Sequence, residues 1–286
     1  MHPDPWTEFI QRKSEFLEFA TASAKAAGKI HMDLYDSNHD IEWTGRVHFR
    51  TEADTRVSAM LRKQLAETYP EHNIHSEESD DHKTDSPFTW IDDELDGTIA
   101  YTRRYFDGFC FSRALCIGSD PVLGVIYMPF KDYLYTGVAG EPSRLNGKQI
   151  KVNNADSLNK VIMSFYSGKE LKNKQGFRTS HLPFLVKAME NPCIMTDVGF
   201  ACAVASLSFV ADGRLEAVLA TGLDSEDIAA AAIILKGAGA KVTNLELKPW
   251  KVGYKSILAA NPIIHELLVN KFRDETAEHI SRWGVV

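Results

Sequence analysis

The chain has 286 residues, 44% hydrophobic and 25% charged, the balance of a protein with a substantial apolar core. Its net charge of −7, with no basic block beyond pairs and the loose cluster Lys169 to Lys174, argues against DNA or RNA as a main partner. The four cysteines form no CxxC pair, no basic tip leads into an apolar run, and no apolar stretch reaches spanning length. The expectation is therefore buried thiols, no membrane segment and a cytoplasmic location.

The spacing of Trp6, Phe9, Phe16, Leu17, Ala20, Ala24, Ala27 and Ile30 predicts one helix from Trp6 to about Met32, with Gly28 a weak breaker inside it. Residues 38–50 are mixed and read as a loop with short extended pieces. Thr51 caps a second helix over Glu52 to Thr68, whose stripe is Val57, Met60, Leu61 and Leu65. Tyr69-Pro70 stops it. A short strand at Ile74 precedes the acidic pair Glu77-Glu78, and Phe88 to Asp92 forms the next strand. Gly108 to Cys116, Val122 to Met128 and Asp132 to Val138 follow as an antiparallel meander.

After Asn146-Gly147 the pattern changes to α/β alternation. Strands are expected near Val161 to Ser164, Cys193 to Thr196 and Leu215 to Leu219. Helices are expected over His181 to Glu190, Phe200 to Ala211, Glu226 to Lys236 and Ile263 to Glu275. This order predicts an α+β chain in two layered lobes. Residues 1–146 form an N-terminal lobe with an antiparallel sheet, and residues 147–286 a C-terminal α/β lobe.

In Trp90-Ile91-Asp92-Asp93-Glu94-Leu95-Asp96-Gly97-Thr98 a hydrophobic run ends in carboxylates, a glycine and a hydroxyl. Asp93 and Asp96 share one site only if the backbone turns, which Gly97 permits. Backbone N–H groups at Thr98, where the next element opens, suit phosphate oxygens. The same string also reads as a solvated acidic turn with a threonine cap. Glu77 is either a surface acid or a second strand end brought beside Asp93 by the polar loop Ser79 to Pro87. Asp54 either favours its helix N-terminus or orients a water through Thr98.

Asp227 stands in an acidic first turn that Asp224 or Ser225 would cap. The run Ala229 to Ala232 behind it lets that helix approach closely and carry a carboxylate to the floor of a cleft. Such all-oxygen ligation favours Mg²⁺. No G-x-S-x-G elbow supports a covalent serine. Gly237-Ala238-Gly239 follows a helix and does not sit between strand and helix, which argues against a dinucleotide loop. His72 and His75 read as surface residues. Arg103 and Arg104 read as a solvated pair or as a cleft mouth, and the aromatics at 105, 106, 109 and 111 as mostly core. Tyr166, Lys169 and Lys172 stay open between substrate loop and surface.

Four segments in order resemble motifs of the inositol monophosphatase family of Mg²⁺-dependent, Li⁺-sensitive phosphatases: Thr51 to Asp54, His75 to Ser79, Trp90 to Thr98, and Asp227 to Ala230 through Ala238 to Ala240. The resemblance runs from about residue 15 to 270. It implies a layered αβαβα sandwich, fructose-1,6-bisphosphatase-like, paired as a homodimer. It implies hydrolysis of a small phosphate monoester, inositol monophosphate or a related polyol or sugar phosphate, by metal-activated water. One Mg²⁺ would be held by Glu77, Asp93 and the Leu95 carbonyl, a second by Asp93, Asp96 and Asp227, and a third, looser one by Glu77. Asp54 and Thr98 would position the water, and the backbone of Gly97 and Thr98 would receive phosphate. Glu216 would contact substrate hydroxyls, although it lies further from Asp227 along the chain than in typical members.

The departures from the family pattern leave the expected metal ligands intact. His48 and Arg50 replace an aspartate and a valine in the first motif, Trp43 a lysine, Glu94 a proline and Glu226 a tryptophan. They leave three substrate alternatives beside the inositol type: histidinol phosphate, a 3′(2′),5′-bisphosphate nucleotide, or none, as in a non-catalytic metal-binding regulatory dimer.

Overall fold

Asp4 opens the first helix by accepting the Thr7 N–H, with a proline at the first turn, so α1 runs Pro5–Leu34. The computed structural model describes residues 4–37, 41–43, 49–105, 107–167, 194–197 and 202–271. Gly28 does not break α1. It makes room for a ring instead: a Cβ there would stand 2.3 Å from Tyr127 Cε1. After a small hairpin of β1 (Glu42–Trp43) and β2 (Phe49–Arg50), Thr51 and Asp54 build a capping box and α2 spans Glu52–Thr68, as its stripe predicts.

Seven strands form the first sheet in sequence order: β3 (Asn73–Ser76), β4 (Phe88–Asp96), β5 (Cys110–Ile117), β6 (Asp120–Met128), β7 (Tyr133–Val138), β8 (Arg144–Leu145) and β9 (Lys148–Gln149). The meander is antiparallel from β4 onward, but β3 and β4 are parallel. The connecting loop doubles back along β3, where Ile74 bridges His82, and re-enters the sheet in the original direction. Glu77 and the end of β4 therefore emerge at the same edge. The break expected after Asn146 falls at the turn of the β8–β9 hairpin, so this sheet continues to Gln149.

The second sheet has the order β11-β10-β12-β14-β13. Its members are β10 (Val161–Ser167), β11 (Ile194–Asp197), β12 (Ala217–Thr221), β13 (Lys241–Thr243) and β14 (Ser256–Ala260). The β13–β14 pair was not anticipated, because β14 is buried at every position and carries no alternating pattern. Between the sheets lie α4 (Ala203–Ala211) and α5 (Ser225–Gly237); a short α3 (Thr98–Arg103) follows β4.

The buried clusters give the layering. Phe9, Phe16 and Ala20 of α1 and Val57 and Leu61 of α2 cover one face of the first sheet at Trp90, Leu115 and Val125. The other face meets α4 and α5 through Ile126, Leu207, Ile228 and Ala231, and the same cluster reaches Val218 and Ile257 of the second sheet. Residues 262–271 are helical and close the far face through Ile264 and Leu268 against Met163 and Leu219. This is the αβαβα sandwich. The helix expected over His181 to Glu190 lies outside the described residues, as do Lys169, Lys172 and the end of the last expected helix. No described helix is long and apolar enough to cross a membrane.

Two features fix the frame around β4. Ala229–Ala232 of α5 lie flat on the first sheet, because β6 and β7 offer glycines there. A Cβ at Gly124 would sit 2.5 Å from the Ala230 carbonyl oxygen, and one at Gly137 2.9 Å from Ile234 Cα. On the opposite face Arg113 of β5 forks onto Asp92 of β4, Nε to Oδ1 at 2.6 Å and Nη2 to Oδ2 at 2.7 Å. Its Nη1 donates to Ser23 of α1 at 2.9 Å. Both members of the ion pair are fully buried.

Candidate active site

The β4–β5 register is regular from Phe88 to Asp93 and shifts between Asp93 and Asp96. Such an irregularity re-aims side chains at a strand end. The freed Glu94 carbonyl accepts from His31 Nε2 of α1 at 2.9 Å, and burial drives that imidazole down to about 4, keeping it neutral. Gly97 then adopts φ 87°, ψ 31° and starts α3. Asp93 and Asp96, on either side of the irregularity, converge instead of alternating.

Asp227 joins them from the first turn of α5, its Oδ2 accepting the Asp224 N–H at 2.7 Å. Carboxylate oxygens of Asp93, Asp96 and Asp227 lie within 4.8 Å of one another. Asp93 Oδ1 accepts the Leu95 N–H at 3.0 Å, but the buried Oδ2 has no partner. Asp96 Oδ2 accepts the Val204 N–H at 2.7 Å and the Cys202 thiol at 2.8 Å. Glu77 follows β3 directly, its N–H bonded to the Asp92 carbonyl at 3.3 Å.

The acids repel one another. Burial pushes Asp93 well above the carboxylate range, and Glu77, Asp96 and Asp227 push it further. Burial raises Asp96 to about 6 against the hydrogen bonds from Cys202 and Val204. Burial also raises Asp54 to about 6, with Glu77 adding to it and Thr51 opposing. Buried like charges with an orphan oxygen are costly alone and suit a hard cation. The donor set is carboxylate and carbonyl oxygen, which fits Mg²⁺.

Asp54 Oδ2 accepts both the Thr51 N–H and hydroxyl at 2.7 Å. Thr98 Oγ1 donates to the Leu95 carbonyl at 3.0 Å. The Gly97 backbone also favours the ionised form of Asp96, after Cys202 and Val204. Tyr166 of β10, left open by the sequence, faces the cluster from the second sheet. Burial and then Asp96, Asp227, Cys202 and Glu77 hold its hydroxyl in the protonated form.

Glu216 is not part of this site. Its Oε1 accepts from Asn153 Nδ2 at 2.5 Å and its Oε2 from the Ile162 N–H at 2.7 Å. It precedes β12, whose opposite end leads to Asp224, and it pins the outer end of the second sheet. The surface reading fails for His72 but not for His75, whose side chain is 38% exposed. His72 is buried and accepts Trp90 Nε1–H at 3.1 Å. His75 spans Asp81 at 2.7 Å and Glu226 at 3.2 Å, and these bonds, Glu226 first, hold it protonated with a pKa of about 9. Arg103 and Arg104 are both exposed, and the Arg104 guanidinium donates to the Tyr35 and Ser37 carbonyls at 3.1 and 2.7 Å. Phe109 and Phe111 are core, whereas Tyr105 is exposed.

Comparison with known proteins agrees with this geometry. The model of the inositol monophosphatase family matches residues 12–277. An inositol monophosphatase 1 of Solanum lycopersicum is 31% identical over 277 residues, covering 93% of this chain and 97% of its own. A Nus factor SuhB of Salmonella typhimurium is 28% identical over 269 residues, covering 93% and 98%. The solved inositol monophosphatase of Anabaena (Nostoc) superposes with a TM-score of 0.79 at 28% identity, covering 92% of this chain and 97% of that one.

Proposed function

This chain belongs to the inositol monophosphatase family, and from that premise we propose that it is a Mg²⁺-dependent phosphatase of small phosphate monoesters. The substrate class is inositol monophosphate or a related polyol or sugar phosphate. One observation carries the reading: Asp93 Oδ2, buried and unpartnered, lies in a group of three carboxylates whose oxygens are within 4.8 Å. Glu77, Asp93 and the Leu95 carbonyl would hold one ion, and Asp93, Asp96 and Asp227 a second, with a third leaning on Glu77. When bound, such ions acidify water and neutralise the transferring phosphoryl group.

The chain's own part is positioning. The Thr98 hydroxyl spends its proton on the Leu95 carbonyl, so its lone pairs face outward to accept from a water. Asp54 commits Oδ2 to the cap and, with a pKa of about 6, is mostly ionised at neutral pH, so that together with Thr98 it would position the attacking water. The backbone N–H groups of Gly97 and Thr98, where α3 opens, would receive phosphate oxygens. The reading includes two lobes per subunit and a homodimer. The free buried thiols Cys110, Cys116 and Cys202 favour a reducing compartment, the cytoplasm.

The test is a phosphate-release panel of inositol monophosphates, sugar phosphates, histidinol phosphate and a 3′,5′-bisphosphate nucleotide. Turnover should need Mg²⁺, stop with chelator and fall with Li⁺. Hydrolysis of histidinol phosphate or of the bisphosphate nucleotide alone would move the substrate class and keep the mechanism. No release from any ester by folded, Mg²⁺-loaded protein would favour the second reading, a regulatory role of the kind the SuhB relatives' name suggests.

A second expectation concerns the departure at Glu226. The His75–Glu226 pair ties the residue ahead of Asp227 to the strand that delivers Glu77. Such outer partners orient ligands and cost about 10- to 100-fold in metal affinity when lost. Glu226→Gln and His75→Gln should each raise the Mg²⁺ concentration for half-maximal rate by about tenfold, with kcat at saturating Mg²⁺ little changed. The double variant should be no worse than either single one. A fall in kcat with an unshifted Mg²⁺ curve would remove this positioning role.

A further inference from the structure

Beside the hard-oxygen cluster sits a softer one. Cys110 opens β5 and stands cross-strand from Asp96, just past the register shift. Cys202 is the N-cap of α4 and brings a second thiol from the other lobe. The two Sγ atoms are 3.7 Å apart, and Cys202 Sγ is 2.8 Å from Asp96 Oδ2. One ligand atom each from Asp96, Cys110 and Cys202 lie within 4.8 Å of one another. All three residues are buried.

We propose that Asp96, Cys110 and Cys202 form a thiophilic metal site for a Zn²⁺- or Cd²⁺-type cation on the floor of the cleft. The sulfur separation is the first support. Two thiolates on a tetrahedral ion at about 2.3 Å sit about 3.8 Å apart, so the pair already has the spacing of one tetrahedral edge. The Asp96–Cys202 contact is a thiol hydrogen bond, and it opens as the proton leaves. Ligand type is the second support, since thiolates select borderline and soft ions over Mg²⁺. Binding exchanges protons and moves no electrons: one dication replaces two thiol protons, which leave to solvent as two H⁺. The N-terminus of α4 favours the negative charge that develops at Cys202.

Buried thiols with raised pKa values are poor nucleophiles, which separates this role from covalent catalysis. The route in passes Asp96, the partly accessible member at 8% exposure. Asp96 also belongs to the group with Asp93 and Asp227. A thiophilic ion therefore competes for a carboxylate that the Mg²⁺ reading needs, and occupancy of the soft site opposes turnover. That last clause rests on the proposed phosphatase function; the binding site does not.

The experiment titrates the reduced, chelator-treated full-length protein with Cd²⁺ in excess Mg²⁺ and without substrate. One equivalent should produce the ultraviolet thiolate-to-cadmium charge-transfer band, and ¹¹³Cd NMR should show a two-sulfur, mixed-oxygen shift. Cys110→Ala should weaken binding by more than the roughly 100-fold that loss of an outer-shell partner costs. It should keep its Mg²⁺-dependent properties, and Cys116→Ala should bind as the parent does. No band, an all-oxygen ¹¹³Cd shift, or an unchanged titration in Cys110→Ala overturns the site; the NMR readout stands even where a variant fails to fold. Cd²⁺ bound by both sulfurs in a protein that hydrolyses nothing would sink the phosphatase and leave the site intact. Turnover with Mg²⁺ and no band would do the reverse.

Discussion

Asp93→Asn should abolish Mg²⁺-dependent phosphate release, a loss of about a thousandfold or more for a group whose ion contributes several kcal/mol of transition-state stabilisation. The substitution keeps shape and removes charge. It turns the unpartnered Oδ2 into an atom of a neutral amide at the place where the two proposed ion positions meet. The metal-free protein should not suffer. Asp93 is already held well above the carboxylate range by burial and by Glu77, Asp96 and Asp227, so a neutral side chain relieves repulsion. Thermal melts with chelator should match or exceed those of the parent. Melts with Mg²⁺ should lose the upward shift that binding to the native state confers. Turnover within tenfold of the parent, or an undiminished Mg²⁺ shift, would remove Asp93 from the centre of the site.

The largest stability effect is expected at Arg113→Leu. Asp92 is 1% exposed and spends both oxygens on the Arg113 fork. Removing one member of a buried pair leaves an uncompensated charge and costs about 3–5 kcal/mol. Replacing both with apolar residues of similar volume is often far milder. Urea unfolding should therefore show a deep loss for Arg113→Leu and a partial recovery for the Asp92→Leu, Arg113→Leu double variant, a strongly non-additive pair. A single-variant cost under about 1 kcal/mol would mean that water reaches this pair. Asp92 is the immediate neighbour of Asp93, so the damaged protein should also bind Mg²⁺ less well.

The parts of the fold that the sequence revealed are those set by local chemistry. Thr51, Asp54 and the stripe Val57, Leu61, Leu65 define α2, because a cap and a helical period are written in neighbouring residues. Each acid around the DxxDGT string reads equally as surface by itself and joins the others only through the family resemblance; Asp93, Asp96 and Asp227 do converge. What escaped is set by pairing across distance. The parallel entry of β3 depends on a loop folding back on its own strand, which no turn residue announces. His72 has no local sign of burial, because its partner, the Trp90 indole, comes from β4, 18 residues on. Glu216 was carried to the substrate by family likeness, but its neighbours Asn153 and Ile162 claim both oxygens. Cys110 and Cys202 are 92 residues apart in sequence and meet only because β5 and α4 pack together.

The glycine–alanine seam under α5 has a wider bearing. With Gly124 facing the Ala230 carbonyl and Gly137 facing Ile234, the helix backbone comes down onto the sheet at two points where the strand carries no side chain. A surface this thin transmits displacement: a methyl group inserted remotely from any ligand would tilt the rod that ends in Asp227. A side chain added at Gly124 or Gly137 should therefore shift Asp227 although neither glycine is among the acids of the site.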